Sequence, residues 1–390
     1  MKYATRMSRC GTETAFEVLV RAQALERQGK EVVHLQIGEP DFDTPRHIRQ
    51  AAATALDEGW THYSPSPGLM EFRQVIAEHV SKTRGIAVAP EEVVVTPGGK
   101  PIMFFTMMAL LDEGDEAIYP NPGVPIYESV IELLGARAVP LPLREERDFA
   151  FDVDEFERLV TPRTKLVIVN SPQNPTGGVL DKQTLDRVAE IARKQDFYIL
   201  SDEIYSRIIY EGEPLSLSSY PGLKERVVIL DGFSKTYAMT GWRLGYGVME
   251  PTLAKHVARL QTNSNSCTNS FVQRAGIAAL RGPQDGVDEM VAEFRRRRDA
   301  VVAGLNKLPG VSCRMPKGAF YVFPNITKTG MKSQELADSL LNEAGVATLS
   351  GTAFGAYGEG YLRLSYANSL PNLEKALQKM HEFLTKRGHV

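Results

Sequence analysis

Three stretches decide the fold: TKLVIVN at Thr164–Asn170, DFYILSD at Asp196–Asp202 and RVVILDG at Arg226–Gly232. In each, the apolar residues run without polar alternation, so both faces of the strand are covered, as in a parallel sheet. Between the first two lies DKQTLDRVAEIARKQ, a helical pattern long enough to serve as a crossover. Upstream, EVVVTP at Glu92–Pro97 reads as another buried strand, KPIMFFTMMALL as a helix opened by Gly98-Gly99, and EAIYPNP as a further strand. The expected fold class is α/β, with a large domain over residues 44–285 whose mostly parallel sheet lies between helices.

Downstream the pattern changes. Val287, Met290, Val291, Phe294, Val301, Val302 and Leu305 recur at helical spacing up to Pro309-Gly310. The run Arg295–Arg298 inside this helix is read as its solvated face. A strand (Ala319–Phe323), a helix (SQELADSLLNEAG), a strand (YLRLSYA) and a last helix follow. This unit is too small to close by itself. A small α+β domain built from both chain ends, residues 1–43 and 286–390, is expected.

Composition narrows the function classes. The 390 residues are 43% apolar and 24% charged, which excludes a disordered chain, a collagen repeat and a coiled coil. Lys and Arg number 45 against 48 Asp and Glu, a net charge of −3, so no nucleic-acid or membrane-surface footprint is expected. Cys10, Cys267 and Cys313 form neither a disulfide framework nor a metal knuckle, and a reducing, cytoplasmic compartment fits them. The stretch MKYATRMSRCGTETAF has no apolar core, so no secretory signal is expected. The longest strongly apolar run, Met103–Leu111, is too short to cross a bilayer. Seven histidines occur without HExxH or paired spacing, so no metal site is expected.

In parallel sheets ligands sit beyond the carboxyl ends of the strands. There Gly98-Gly99-Lys100 opens a helix, a place that favours an anion; the alternative is a Gly-rich turn holding nothing. Asn174 lies in the loop SPQNPTGG. Asp202 ends a buried strand with Tyr205 three residues on, and a helix cap is its bland alternative. Lys235 follows Ser234 directly after a strand, where buried lysines lose their proton readily and form Schiff bases. Arg243 stands among glycines in GWRLGYG, and Arg363 is an isolated cation in an apolar strand, suited to a carboxylate. Together these groups describe a site for pyridoxal 5′-phosphate.

The motifs IGEPDFDTP (37–45), NSPQNPTGG (170–178), SDEIY (201–205), FSKTYAMTGWRLGY (233–246), GAFY (318–321) and YLRLSYA (361–367) cover nearly the whole chain. In order and spacing the sequence resembles the fold-type I, class I/II aminotransferases, in the branch that contains bacterial aspartate aminotransferases. The resemblance implies that Lys235 is the Schiff-base lysine and proton shuttle, that Asp202 pairs with the pyridine nitrogen, and that Asn174 and Tyr205 hydrogen-bond the ring oxygen. It assigns the phosphate to Gly99, Lys100, Ser234 and Arg243, and Tyr63 to the phosphate of the neighbouring subunit of a homodimer. Arg363, helped by Gly38 and Asn174, would clamp the substrate α-carboxylate, and the partners would be amino acids and 2-oxo acids. Two departures qualify it. The position of the ring-stacking aromatic falls on Val124, unless the alignment slips in NPGVPIY and brings Tyr127 or another ring there. No cation for a second substrate carboxylate is identifiable. A carbon–sulfur β-lyase on the same scaffold and the aminotransferase-like sensor module of a transcription regulator are the competing functions; a DNA-binding domain upstream would mark the latter, and none is expected.

Overall fold

The computed structural model describes residues 2–388. β1 (Val33–His34) lies apart from the main sheet. β2 (Val93–Thr96), β3 (Glu116–Asn121), β4 (Arg137–Pro142), β5 (Thr164–Asn170), β6 (Tyr198–Asp202), β7 (Val227–Gly232) and β8 (Gly245–Val248) form a seven-stranded sheet in the order β2-β8-β7-β6-β5-β3-β4. The pairs β3–β4, β3–β5, β5–β6 and β6–β7 are parallel, and β8 runs against both of its neighbours. The carboxyl ends of the other six strands and the amino end of β8 therefore share one edge.

The uninterrupted apolar runs are explained by two cores, one per face. Val95, Val167, Ile199 and Ile229 point into one, under the helices Met70–Arg84, Lys182–Lys194 and Ser270–Arg281. Val94, Ile168, Leu200 and Leu230 point into the other, under Lys100–Leu110, Ile126–Leu133 and Pro251–Asn265. Two strands carry no such run. β4 (RAVPLP) contains two prolines, which an edge strand tolerates. β8 (GYGV) is half glycine because it is squeezed: a Cβ on Gly245 would lie 2.5 Å from the Gly98 carbonyl carbon and 2.6 Å from the Gly99 nitrogen.

A further core joins both ends of the chain. Val33 and Leu35 pack with Phe294, Leu305, Leu336, Val346 and Leu364. β9 (Tyr321–Val322), β11 (Leu349–Ser350) and β12 (Leu362–Ser365) form an antiparallel sheet in the order β11-β12-β9, and β10 (Val346–Ala347) pairs in parallel with β1. The long helix spans Asp285–Leu305. The reading of Arg295–Arg298 as a solvated face is corrected for half of it: Arg297 is 6% and Arg298 3% exposed. Arg297 pairs with Asp41 at 2.6 Å and Glu293 at 2.8 Å, and Arg298 pairs with Glu211 and Asp299 and donates to the Pro316 carbonyl. This helix packs on more than one side, and a guanidinium held by carboxylates is tolerated there.

Candidate active site

The shared strand edge brings the loops after β2, β3, β5, β6 and β7 together with the turn before β8. Lys235 leaves the turn after β7, and its Nζ donates to the Gly38 carbonyl at 2.5 Å. Burial pulls its pKa down to about 8; Glu39 opposes this, and the charges of Arg363, Lys100 and Arg243 add to it. Asp202, 4% exposed, ends the neighbouring β6. Tyr127 donates to its Oδ2 at 2.7 Å, and the Ile204 N–H to its Oδ1 at 3.3 Å. Burial pushes this carboxyl up to about 6 in spite of those two bonds, and the Glu203 carboxylate pushes the same way. A buried acid in that state has room for a cationic partner.

Arg363 lies on β12, 4% exposed, with its guanidinium 4.6 Å from the centre of the Tyr321 ring and 5.1 Å from that of Phe354. Its Nη2 donates to the Gln36 carbonyl, and its Nη1 makes a long 3.5 Å contact with Asn174 Oδ1. Its Nε is buried without a partner. The Tyr205 hydroxyl meets that of Tyr321 at 2.8 Å, so Tyr205 links the Asp202 loop to the ring beneath Arg363. Gly38 is required here, since a Cβ would fall 2.0 Å from the Tyr321 hydroxyl.

On the other side of Lys235, Arg243 donates to the Thr240 carbonyl at 2.7 Å and to the Pro97 carbonyl at 3.4 Å. Gly98, at φ +89°, keeps the space between them open, as a Cβ there would lie 2.2 Å from Arg243 Nη2. Gly99 and Ser234 lie at this turn, with Ser234 buried. The ammonium of Lys100 is turned to Glu13, 2.7 Å away, so of this residue the helix N-terminal backbone is what faces the turn. Val124 and Ile204 are both half-buried against the core beneath the site. Tyr127 is fully buried and engaged with Asp202. Tyr63 stands apart from all of these at 89% exposure.

A family model described as "Aminotransferase class I and II" matches residues 30–380. The chain belongs to the class I and II aminotransferases. It is 42% identical to an aspartate aminotransferase of Pyrococcus horikoshii over 94% of this chain and 93% of that protein. It is 41% identical to aromatic-amino-acid aminotransferase 2 of Thermococcus litoralis, over 91% and 92% of the two chains. In structure it is similar to the Thermus thermophilus aspartate aminotransferase solved with maleate, with a TM-score of 0.94 and 37% identity over 98% and 100% of the chains. An aminotransferase of this class implies amino-acid and oxo-acid substrates and pyridoxal phosphate.

For this aminotransferase, sequence reasoning left out three residues of the site and the role of a fourth. Tyr321 and Phe354 face Arg363 with their rings, Gln36 accepts from it, and Tyr127 holds Asp202. The motif GAFY was the available signal for Tyr321, Gln36 directly precedes IGEPDFDTP, and Tyr127 figures only as an alternative ring in NPGVPIY; Phe354 lies in none of the quoted motifs. Among the described residues no group of three or more His, Cys, Asp or Glu is placed to hold a metal ion, and no helix is long and apolar enough to cross a membrane.

Proposed function

We propose that this aminotransferase moves an amino group from an L-amino acid to a 2-oxo acid through pyridoxal 5′-phosphate in a ping-pong sequence. The observation that carries the proposal is the juxtaposition of Lys235 and Asp202 on adjacent strand ends, the base lowered to about 8 and the acid raised to about 6. The residues present fit the cofactor. Asp202 offers a buried carboxylate to a ring N–H⁺, the Gly98 cradle with Gly99, Lys100, Ser234 and Arg243 offers donors to a phosphate, and Val124 and Ile204 offer apolar cover to a ring. When bound, the cofactor supplies an electron sink for the carbanion character that develops at the substrate Cα.

The chain's own residues do the rest. A Lys235 amine lowered to about 8 is partly neutral near neutrality, so it can act as the Schiff-base nucleophile and then carry the proton from Cα. Tyr127 fixes the Asp202 carboxylate, and burial keeps the Tyr127 hydroxyl protonated so that it remains a donor. Asn174 and Tyr205 are assigned to the ring oxygen, and Arg363 with Gly38 to the substrate α-carboxylate, which the unpaired Nε of Arg363 supports. The domain division into 1–43 with 286–390 and 44–285 belongs to this reading, supported by the pairing of β1 with β10. So do a cytoplasmic location, supported by three free cysteines, and a homodimer in which Tyr63 serves the neighbour's phosphate.

The test is spectroscopic. Excess amino donor alone, with aspartate and the aromatic amino acids named for the relatives tried first, should convert the cofactor to its pyridoxamine form. A 2-oxo acid should restore it. Release of a thiol, pyruvate and ammonia from a β-thio amino acid such as cystathionine, with no conversion by the other donors, would mean the carbon–sulfur lyase instead.

A further inference from the structure

Behind the strand ends that carry Asp202 and Lys235 lies a charged cluster with no part in the chemistry assigned so far. Arg84 ends the Met70–Arg84 helix and is 9% exposed. Its Nε donates to Glu203 Oε2 at 2.8 Å and its Nη2 to Asp231 Oδ2 at 3.0 Å. Glu203 directly follows β6, Asp231 lies within β7, and both are buried. Their other lone pairs are occupied. Ser201 and Ser216 donate to Glu203 Oε1 at 2.9 and 2.5 Å, and the Gly232 N–H and Ser206 donate to Asp231 at 2.7 and 3.3 Å. Burial works against the Arg84 charge, but Glu203 and Asp231 outweigh it and raise its pKa.

Buried ion pairs contribute little net stability compared with apolar residues of the same volume, so stability alone is a poor reason for three charges here. Their place in the chain supplies a better one. Glu203 is the residue after Asp202, and Asp231 is four before Lys235. Alternation along β6 sends Ser201 and Glu203 toward Arg84 and Asp202 to the opposite face, toward Tyr127. Arg84 is thus the cross-link between the two strand ends that present the paired acid and base.

We propose that Arg84 is a positioning residue for transamination: by bridging Glu203 and Asp231 it holds the ends of β6 and β7 in register and screens Asp202 from the Glu203 carboxylate. The inference rests on the proposed role of Asp202 opposite the ring nitrogen. The groups that face Asp202 are the Tyr127 hydroxyl, the Ile204 N–H and Lys235, which favour its ionised form, and Glu203, which opposes it; Tyr205 also feels its charge. Removing the guanidinium leaves Glu203 unscreened, and removing the Glu203 charge does the reverse.

The test is the pyridoxal 5′-phosphate Kd of the apo protein from about pH 5 to pH 8, in wild type, Arg84→Met, Arg84→Lys and Glu203→Gln. Affinity falls on the acid side as Asp202 is protonated. The midpoint of that fall should move up by about half a pH unit or more in Arg84→Met and down by a similar amount in Glu203→Gln. Arg84→Lys, which keeps the charge but not the fork, should restore the wild-type midpoint. Shifts of the same sign in both charge variants, or a lower melting temperature with the midpoint unmoved, would overturn the proposal. Should Arg84→Met fail to fold, Glu203→Gln decides, since an unmoved or raised midpoint there is already fatal. A wild-type protein without imine absorbance would instead defeat the functional reading itself.

Discussion

Arg363 illustrates how one side chain can be prepared for a ligand by its surroundings. Two aromatic rings flank its guanidinium, and one buried N–H has no acceptor. An unsatisfied buried donor costs about 1–3 kcal/mol, which a bidentate carboxylate removes. Arg363→Leu should therefore lower kcat/KM for every amino acid by about thirtyfold or more, the equivalent of ~2 kcal/mol, chiefly through KM. Its visible cofactor absorbance should persist, with a pH dependence moved upward because the Arg363 charge that lowers the Lys235 pKa is gone; unchanged KM would remove Arg363 from the substrate carboxylate. Val124 supports a second prediction at this scale. The Tyr127 hydroxyl is engaged by Asp202, and Val124 is a half-buried apolar side chain of NPGVPIY packed on the same core as Ile204, so Val124 is taken as the cover for a ring. An aromatic stack adds ~0.5–1.5 kcal/mol beyond area burial. Val124→Phe should accordingly slow the loss of pyridoxamine phosphate by up to about tenfold, measured as cofactor dissociation after donor treatment. Equal or faster loss from a folded variant would show that Val124 does not cover the ring. Residue type and strand-end position pointed to Lys235 and Asp202 as candidates, and isolation within an apolar strand pointed to Arg363. The partners of those residues were not legible, because nothing local marks Tyr127 as the donor to an acid 75 positions away.

Among the elements, β8 matters most to the site. It sits between β2 and β7, and its Gly245 pairs with both Thr96 and Gly232, immediately below the Gly98–Gly99 turn. A methyl group at Gly245 meets backbone, which cannot rotate aside, so Gly245→Ala must push that turn away. Overpacking of this kind costs about 1–3 kcal/mol. The variant should melt several degrees lower and bind inorganic phosphate and cofactor more weakly than wild type. Normal melting with full phosphate affinity would show that the turn yields to a methyl group without cost. β8 also explains a gap in the sequence reading. The glycines that let it fit between two backbones are the residues that erase a strand pattern, whereas β2, β5, β6 and β7 display theirs because both faces are buried.

At the scale of the molecule, a tyrosine at 89% exposure on the THYSPSPGL loop motivates the dimer. Sedimentation at assay concentration should give twice the 43.2 kDa chain mass. A fully active monomer would remove Tyr63 from the site. The pH response of the fold offers a separate check. Burial, reinforced by Arg84, Arg207 and Lys82, lowers the pKa of His79 from 6.5 to about 4. Between those values the unfolded chain binds a proton that the folded one refuses, so the stability associated with His79 is present above 6.5 and is lost as pH falls toward 4. The melting temperature of His79→Gln should consequently decline less than that of wild type between about pH 7 and pH 5. An identical decline would mean that His79 does not titrate in this range. The family, the α/β class, the buried strands β2, β5, β6 and β7 and the residues that follow them were determined by the sequence alone, because motifs are spaced along nearly the whole chain and two-sided burial writes itself onto every residue of a strand. The burial of Arg297 and Arg298, the reversed β8 and the hold of Gln36 on Arg363, across 327 positions, were decided only by the tertiary structure. Such contacts depend on which surfaces meet when the sheet, its helices and the two chain ends close together, and no periodicity along the chain encodes that meeting.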